Sequence, residues 1–290
     1  MEYEGSVYRP PSEAYSLIIQ ATIGCSHNSC TFCPMYWDKK FRMRSFEEVY
    51  RDLKQARREH PSVERIFFAD GDALCLATDK LLPLLGAVRA IFPECERIGI
   101  YGRADNITGK ADDELLKLKE AGLGIIYLGA ESGSAEVLRR VNKGETPEEM
   151  VSAVRRAENA GIQVSVTFIS GLGGRELMEE HAVETGKMIG EMGASYIGLM
   201  TLMIAPGSTV SENIASGSFE PLSSQDVMHE LELILTNANC EKPSVIRSNH
   251  ASNRLVLKGT LPQDRDRLLD QVHRAMKDET LLRPDKYRGF

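Results

Sequence analysis

The chain has 290 residues, of which 42% are apolar and 27% are charged, and its formal net charge is −7. This composition is ordinary for a folded globular protein, and the length suffices for one large α/β domain or two smaller ones. No apolar run has the length of a membrane span, and the acidic balance argues against a large nucleic-acid interface, which needs many cations.

The first residues show neither a basic region nor an apolar core, so we expect no signal peptide and predict a cytoplasmic location. Cysteines in such a reducing compartment are metal ligands more often than disulfide partners when they cluster. Six cysteines are present, and only one group of them is clustered. A second, auxiliary metal cluster is therefore not predicted.

The clustered cysteines are Cys25, Cys30 and Cys33, spaced C-x4-C-x2-C, and they follow an apolar run at residues 16–22 that predicts the first strand. Soft thiolates bind iron–sulfur clusters or zinc. Three thiolates leave one metal position open for a ligand that takes part in chemistry. The alternatives are a zinc site with His27 as the fourth ligand, or unrelated thiols.

Beyond the cysteines, Ser45 and Glu48 form a capping-box pattern that predicts a helix over residues 45–60. Strands and helices then alternate along the chain. The predicted strands are residues 65–69, 97–101, 125–129, 163–169 and 196–203, and the predicted helices are residues 78–92, 111–121, 147–160 and about 175–192, with helical turns through residue 141. From about residue 217 the pattern changes to a helix (222–238), an irregular stretch (243–257) and a last helix (263–277).

None of the six predicted strands can turn directly into the next one, so they must pair in parallel through helical crossovers. This pattern is typical of either a doubly wound sheet or a barrel, and periodicity does not separate the two. In both folds the chemistry lies at the carboxyl ends of the strands. The residues that follow these strands are rich in glycine and charged groups, which favours a polar ligand at that edge.

A cysteine triad after a strand, with its last pair written Cys30-Thr31-Phe32-Cys33, resembles the radical S-adenosylmethionine (SAM) superfamily. Most members have one residue fewer in the first gap. The resemblance implies a [4Fe–4S] cluster with one iron open to SAM, in an α/β fold: a partial (β/α)6 TIM-type barrel of parallel strands with a C-terminal extension. We expect the radical SAM core at residues 1–215 and an extension that closes the barrel at residues 216–290.

The resemblance assigns Cys25, Cys30 and Cys33 to the cluster, and Phe32 to shielding it near adenine, although a packing role for Phe32 is equally compatible. Asp70-Gly71-Asp72 stands where the family has a Gly-Gly-Glu-type motif that receives the amino group of SAM. Glycine permits a close backbone approach, and a cation needs acceptors. The alternative is an Asp-Gly turn that caps the next helix.

Other positions resemble the subgroup that contains oxygen-independent coproporphyrinogen oxidase. There, Glu131 would bind the ribose hydroxyls, and Lys143 would pair with the SAM carboxylate as a point charge, unless it is an exposed cation at a helix end. Residues 165–174 correspond to the segment whose backbone stacks on adenine, and Thr167 occupies the place of an acidic residue.

The implied function is reductive cleavage of SAM followed by hydrogen abstraction from a small organic substrate, with a reducing partner such as flavodoxin or ferredoxin. The enzyme would be oxygen-sensitive, with no membrane and no nucleic acid as partner. Tyr101, Arg103 and His250 are candidate catalytic or substrate residues, and a loop or capping role is the alternative for each. The alternative functions are a non-catalytic haem carrier of the same fold and a zinc-binding α/β protein.

Overall fold

The computed structural model describes residues 2–289 and shows the predicted alternation of strands and helices. The strands are β1 (Leu17–Gln20), β2 (Thr22–Ile23), β3 (Arg42–Met43), β4 (Arg65–Ala69), β5 (Arg97–Tyr101), β6 (Leu123–Glu131), β7 (Gln163–Ser170), β8 (Tyr196–Thr201), β9 (Ser244–Arg247) and β10 (Lys258–Leu261). The helices are α1 (Phe46–Glu59), α2 (Thr78–Ile91), α3 (Ala104–Thr108), α4 (Asp112–Glu120), α5 (Ala135–Arg140), α6 (Pro147–Asn159), α7 (Met178–Met192), α8 (Thr209–Ser216), α9 (Ser224–Asn237) and α10 (Arg265–Lys277).

Eight strands belong to one sheet, in the order β1-β4-β5-β6-β7-β8-β9-β10. The neighbours from β1 to β6 pair in parallel, as do those from β7 to β9. Such pairing needs helical crossovers, which the intervening helices supply. The last pair, β9 with β10, is antiparallel, and β2 with β3 forms a separate antiparallel pair. The predicted α/β class with parallel strands is confirmed.

The described chain divides into two compact units. The first comprises residues 2–28, 34–128 and 156–164, and the second comprises residues 29–33, 129–155 and 165–289. In the first unit Phe67 and Phe68 of β4 are fully buried. In the second unit Val137, Val141 and Ile169 belong to a buried apolar cluster. The division into a core of residues 1–215 and an extension of residues 216–290 stays a prediction.

The six predicted strands lie within two residues of their predicted bounds because their apolar runs are buried. The predicted capping box at the start of α1 is present: Ser45 and Glu48 each accept a backbone N–H of the other. A further capping box starts α9, where Ser223 is the cap. Local side-chain signals of this kind are reliable because the first backbone N–H groups of a helix need acceptors.

In the described part of the chain, the short helices α3 and α8 and the strands β3, β9 and β10 lie where none is predicted. Of these, β9 lies inside the stretch predicted to be irregular. The sequence of β9 is only four residues long, and it is held by β8 on one side and by β10 on the other. Pairing with distant strands, which is invisible to local periodicity, stabilises it.

Candidate functional site

In the first unit, the buried carboxylate of Asp70 anchors the loop that follows β4. Its Oδ2 accepts hydrogen bonds from the backbone N–H of Gly24 at 2.9 Å, from Nζ of Lys39 at 2.7 Å and from Nε2 of Gln20 at 3.2 Å. The side chains of Lys39 and Asp70 are 3% and 0% exposed, so this is an interior ion pair. No residue in the described part of the chain hydrogen-bonds Oδ1 of Asp70.

Cys25 lies against the same loop. A Cβ atom added to Gly71 would lie 3.0 Å from Cβ of Cys25 and 2.4 Å from the Tyr36 ring, so only glycine permits this approach. Ser26 donates a hydrogen bond from Oγ to Oδ2 of Asp72, which is fully buried. The loop predicted to receive the amino group of SAM is therefore next to the first cysteine. Asp72 directly precedes a short 3-10 turn at Ala73–Cys75 but makes no side-chain capping hydrogen bond to it, and α2 begins only after Ala77.

In the second unit, Cys30 and Cys33 lie on one turn, in which the N–H of Cys33 donates to the carbonyl oxygen of Cys30 at 3.3 Å. The turn is attached to the residues that follow α5. The N–H of Thr31 donates to the carbonyl oxygen of Val141 at 3.0 Å. The end of α5 thus determines where the two thiols lie.

The Phe32 ring, between these two cysteines, packs against a buried apolar cluster of the second unit, made by Val137, Val141, Ile169 and Leu172. The packing role considered for Phe32 is therefore present. Its predicted role near adenine stays a prediction.

Each of the six cysteines is outside any disulfide bond, and those of the triad are neither fully buried nor fully exposed. This set of thiolate donors suits an iron–sulfur cluster. Among residues 2–289, no group of three or more His, Cys, Asp and Glu side chains is arranged to hold a metal ion. The assignment of the triad as cluster ligands stays a prediction.

Glu131 and Lys143, predicted to act at opposite ends of SAM, lie together in the second unit. Nζ of Lys143 is 3.8 Å from Oε1 of Glu131 and 3.4 Å from Oε2 of Glu145. The three side chains are almost completely buried. Burial raises the pKa of Glu131, and the charge of Lys143 partly opposes this. The sequence analysis missed Glu145, and it predicted neither the burial of Lys143 nor its position between two carboxylates.

Tyr101 is the last residue of β5, and Arg103 follows the strand, both in the first unit. The Tyr101 ring makes edge-to-face contacts with Phe67 at 4.8 Å and with Tyr127 at 6.2 Å between centroids. Burial raises the pKa of Tyr101. The side chain of Arg103 is buried, and its backbone N–H donates to Oδ1 of Asn106 at 3.0 Å, at the start of α3. The capping alternative is thus present at Arg103.

Thr167 is half-buried in β7 in the second unit and lies opposite Gly198 of β8. Its predicted contact with adenine stays a prediction.

His250, in the second unit, belongs to the loop at residues 248–257, which takes the place of a strand beside β8. The pairing of β9 with β8 ends at Arg247. Beyond this point side chains replace the backbone ladder. Nδ2 of Asn253 donates to the carbonyl oxygen of Leu199 at 2.7 Å, and Oγ of Ser252 accepts from the N–H of Thr201 at 3.2 Å. The loop is therefore fixed at the carboxyl end of β8.

Two arginines near the C-terminus hold the same loop from its backbone side. NH1 of Arg283 donates to the carbonyl oxygens of His250 and Asn253 at 3.1 and 3.2 Å. Nε of Arg288 donates to the carbonyl oxygen of Ser252 at 2.7 Å. Because side chains and backbone are both anchored, the loop has a defined conformation.

These contacts fix the tautomer of His250. The backbone N–H of Ser252 lies 3.1 Å from Nδ1, and Oγ of Ser252 lies 2.9 Å from it. A backbone N–H is always a donor, so Nδ1 accepts and the proton of the neutral ring is on Nε2. Burial, with a smaller effect of Arg283, lowers the pKa of His250. The ring is thus a neutral hydrogen-bond donor at pH 7.

No helix within residues 2–289 has the length and apolar character needed to cross a membrane.

A profile of the Radical SAM superfamily matches residues 19–188, which is more than half of the chain. The chain belongs to the radical SAM superfamily. The resemblance inferred from the cysteine triad is therefore confirmed. The predicted cofactors, a [4Fe–4S] cluster and SAM, are those of this superfamily, and their prediction is confirmed at that level.

Two relatives of known sequence show how much of the chain is shared. A candidate methylthiotransferase of Methanocaldococcus jannaschii is 29% identical over 163 residues, which are 53% of this chain and 35% of that protein. A heme chaperone of Bacillus subtilis is 22% identical over 199 residues, which are 66% of this chain and 51% of that protein. The radical SAM chain described here thus spans about a third and about a half of the length of these relatives.

Solved structures of the superfamily share the fold. Methylornithine synthase is 17% identical with a TM-score of 0.54, over 92% of this chain and 82% of that chain. Coproporphyrinogen III oxidase of Escherichia coli is 20% identical with a TM-score of 0.57, over 77% of this chain and 52% of that chain. At these identities the likeness shows the fold alone. The predicted fold class, a partial (β/α)6 TIM-type barrel, is confirmed.

Proposed function

We propose that this radical SAM protein cleaves SAM reductively and abstracts hydrogen from a small organic substrate. The observation that carries the proposal is the cysteine triad, which forms no disulfide bond and lies within the segment matched by the family profile. Cleavage of SAM to methionine and a 5′-deoxyadenosyl radical, which takes a hydrogen atom from a substrate C–H bond, is the chemistry that the bound cofactors supply. The protein has to hold the cofactors and the substrate in positions from which they can react, and it has to keep water out of the site.

In this proposal the sulfur atoms of Cys25, Cys30 and Cys33 bind three irons, and the fourth iron stays open to SAM. The hydrogen-bonded turn between Cys30 and Cys33 and the packing of Phe32 support a fixed position for two of the thiols. The packing of Gly71 against Cys25 supports the same for the third.

The residues proposed for the amino group of SAM are those of the loop after β4. Asp70 already accepts three hydrogen bonds within the protein, which supports a role as the anchor of this loop. We therefore assign the amino group to Asp72 and to the backbone carbonyls around Gly71, because a cation needs oxygen acceptors.

For the rest of SAM, we assign the ribose hydroxyls to Glu131 and the carboxylate to Lys143. Burial raises the pKa of Glu131, and the charge of Lys143 opposes this effect and favours the ionised form, which is the better acceptor for a diol. The backbone of residues 165–174 and Thr167 are assigned to adenine.

On the substrate side, His250 is the group that the geometry favours. A neutral ring with its proton on Nε2 donates a hydrogen bond to an acceptor oxygen, such as that of a carbonyl or carboxylate, without a charge to desolvate. Tyr101 and Arg103 remain further candidates. The electron would come from a reducing partner such as flavodoxin or ferredoxin, and a cytoplasmic location stays a prediction.

The test is anaerobic reconstitution with iron and sulfide, reduction with dithionite in the presence of SAM, and quantification of 5′-deoxyadenosine. We expect the wild-type protein to form it, and the variants Cys25→Ala, Cys30→Ala and Cys33→Ala to lose both iron and product. Cys240→Ala is the matched control, since Cys240 is buried outside the triad, where its Sγ lies 3.8 Å from the carbonyl oxygen of Ile189. Iron-loaded wild-type protein that forms no 5′-deoxyadenosine, or zinc at the thiols, would contradict the proposal.

The same assay separates two other functions that the names of the relatives suggest. Methyl transfer from SAM forms S-adenosylhomocysteine, which hydrogen abstraction alone does not produce. Carriage of haem, the second candidate, is supported by the likeness to the heme chaperone. It predicts a shifted haemin absorption band upon binding, with no cleavage of SAM.

A further inference from the structure

A histidine and a glutamate that the proposed function does not use face each other in the interior of the second unit. His181 of α7 and Glu230 of α9 are both fully buried. Nε2 of the histidine lies 3.8 Å from Oε1 of the glutamate. Within residues 2–289 neither of these two atoms has a hydrogen-bond partner. Buried polar atoms without a hydrogen-bond partner cost free energy and are rare in folded proteins, so each calls for an explanation.

The other nitrogen of His181 binds the end of β6. Its Nδ1 lies 2.7 Å from Oγ of Ser132, the residue that follows the last residue of β6, Glu131. The same Oγ accepts a hydrogen bond from the backbone N–H of Ser134 at 2.9 Å. The turn that directly follows Glu131 is therefore hydrogen-bonded to α7.

The other oxygen of Glu230 binds the end of β7. Its Oε2 accepts the backbone N–H of Gly171 at 2.8 Å and the hydroxyl of Ser170, the last residue of β7. Gly171 has a φ of +84°, a conformation that glycine adopts readily. The carboxyl group thus fixes the turn that leaves β7.

Each of the two side chains holds one turn, and neither places charge in the interior. Burial raises the pKa of Glu230 to about 8 and lowers the pKa of His181 to about 4. At pH 7 the carboxyl group is therefore protonated and the imidazole is neutral. Two neutral groups avoid the large desolvation cost of a buried ion pair.

We propose that Glu230 and His181 are positioning residues that hold the carboxyl ends of β6 and β7 at the spacing required by the nucleoside part of SAM. This rests on the proposed function, which assigns the ribose to Glu131 and adenine to residues 165–174. The two strands are neighbours in the sheet. A binding site whose loops are fixed in advance loses less entropy when the ligand binds.

The experiment compares the dissociation constant of SAM for reconstituted protein carrying Glu230→Gln or Glu230→Ala. Glutamine is neutral and keeps the carbonyl oxygen that accepts from Ser170 and Gly171, so we expect affinity within about twofold of wild type. Alanine removes the acceptor, and we expect affinity to fall about tenfold or more, because two donors lose their partner. Wild-type affinity in Glu230→Ala, or equal losses in the two variants, would overturn the proposal.

The control is Glu232→Ala on the same helix. Its carboxylate pairs with Nε2 of His273 at 2.7 Å, away from the two turns. We expect lower thermal stability with unchanged SAM affinity. A loss of affinity that matches the loss of stability in both Glu230→Ala and Glu232→Ala would mean a merely structural role.

If Glu230→Ala does not fold, Ser132→Ala and Ser170→Ala test the same contacts with smaller changes. We expect each to weaken SAM binding about threefold or more without loss of iron. Unchanged affinity in both variants overturns the proposal. Formation of 5′-deoxyadenosine by the wild type tests the proposed function separately: a protein that binds SAM but does not cleave it refutes that function, and its affinities still decide the positioning role.

Discussion

The ammonium group of Lys143 lies between two buried carboxylates, 3.8 Å from that of Glu131 and 3.4 Å from that of Glu145. The ammonium group of Lys143 is thus the cation next to both carboxylates, and the three side chains together carry a net charge of −1 when all are ionised. Removing the cation would leave two like charges in a medium of low dielectric constant, where their repulsion is strong. This arrangement makes Lys143 the member whose loss should matter most.

We expect Lys143→Met to lower the free energy of unfolding by about 3–5 kcal/mol, because breaking a buried ion pair strands its partner. The variant should also bind SAM weakly. The measurements are urea unfolding and SAM equilibrium dialysis. Lys117→Met is the control, since Lys117 pairs with Asp113 on the exposed face of α4 and its loss should change neither quantity. Equal effects of the two substitutions would contradict the prediction.

A second prediction concerns the pH dependence of stability. In the folded protein Glu230 has a pKa of about 8, whereas an unfolded glutamate has one of about 4.3. The folded state therefore keeps a proton that the unfolded chain releases, and stability falls as pH rises through this window. His181, with a pKa of about 4 when folded, has the opposite effect up to about pH 6.5.

Between pH 6.5 and 8 the effect of Glu230 is thus unopposed by His181, and the free energy of unfolding should fall by about 1–2 kcal/mol. In Glu230→Gln this part of the fall should disappear, because glutamine does not titrate. Urea unfolding of both proteins at closely spaced pH values provides the measurement. Parallel curves for the two proteins across this range would show that Glu230 is not protonated in the folded state.

The tautomer of His250 can be measured directly. We expect the ring to carry its proton on Nε2, because its Nδ1 accepts the backbone N–H of Ser252, and to have a pKa below its ordinary value. Nitrogen-15 chemical shifts of labelled histidines report both quantities. His229 is an internal reference, since its Nδ1 lies 3.2 Å from a carboxylate oxygen of Glu232 and should therefore carry a proton. A protonated Nδ1 in His250 would rule out the proposed donor geometry.

The substitutions Gly71→Ala and Gly86→Ala compare a glycine that is closely packed by other residues with one that has open space beside it. In Gly71→Ala the new Cβ would lie 2.4 Å from the Tyr36 ring, so we expect a loss of about 1–3 kcal/mol and poor iron incorporation. In Gly86→Ala, within α2, nothing lies within 4 Å of the new Cβ. There we expect a gain of about 0.5–1 kcal/mol from higher helix propensity. Iron content and thermal melting curves of the two variants provide the measurement. Full iron loading of Gly71→Ala would refute the prediction that only glycine is tolerated next to Cys25.

Local patterns in the sequence predicted those parts of the fold that depend on neighbouring residues. The strands of β4 and β5 and the capping box of Ser45 with Glu48 are examples, because burial of an apolar run and satisfaction of helix N–H groups act over a few residues. In contrast, β9 depends on pairing with β8, and its four residues carry no periodic signal of their own.

A position at the end of a strand is the signal that pointed to Asp70 and Glu131. Lys39 was missed because its pair with Asp70 joins two segments that are far apart in the sequence. Glu145 was missed although it lies only two residues from Lys143, because nothing in the local pattern indicates that its side chain is buried. One signal for Glu230 was available. It lies on the face of α9 that carries the buried residues Val227 and Ile234, and an acid on an apolar face indicates an interior role.

The edge of β8 beyond β9 is completed by the side chains of Ser252 and Asn253 instead of a strand. In a paired strand, successive side chains must alternate between the two faces of the sheet. The residues between the end of β9 and Ser252 are not paired with β8 and are therefore free of this alternation. The exposed Asn249 can therefore be exchanged without shifting the register of the sheet, whereas His250 is held by Ser252 and Arg283. Asn249 is thus the position in this loop at which an engineered change should disturb the sheet least.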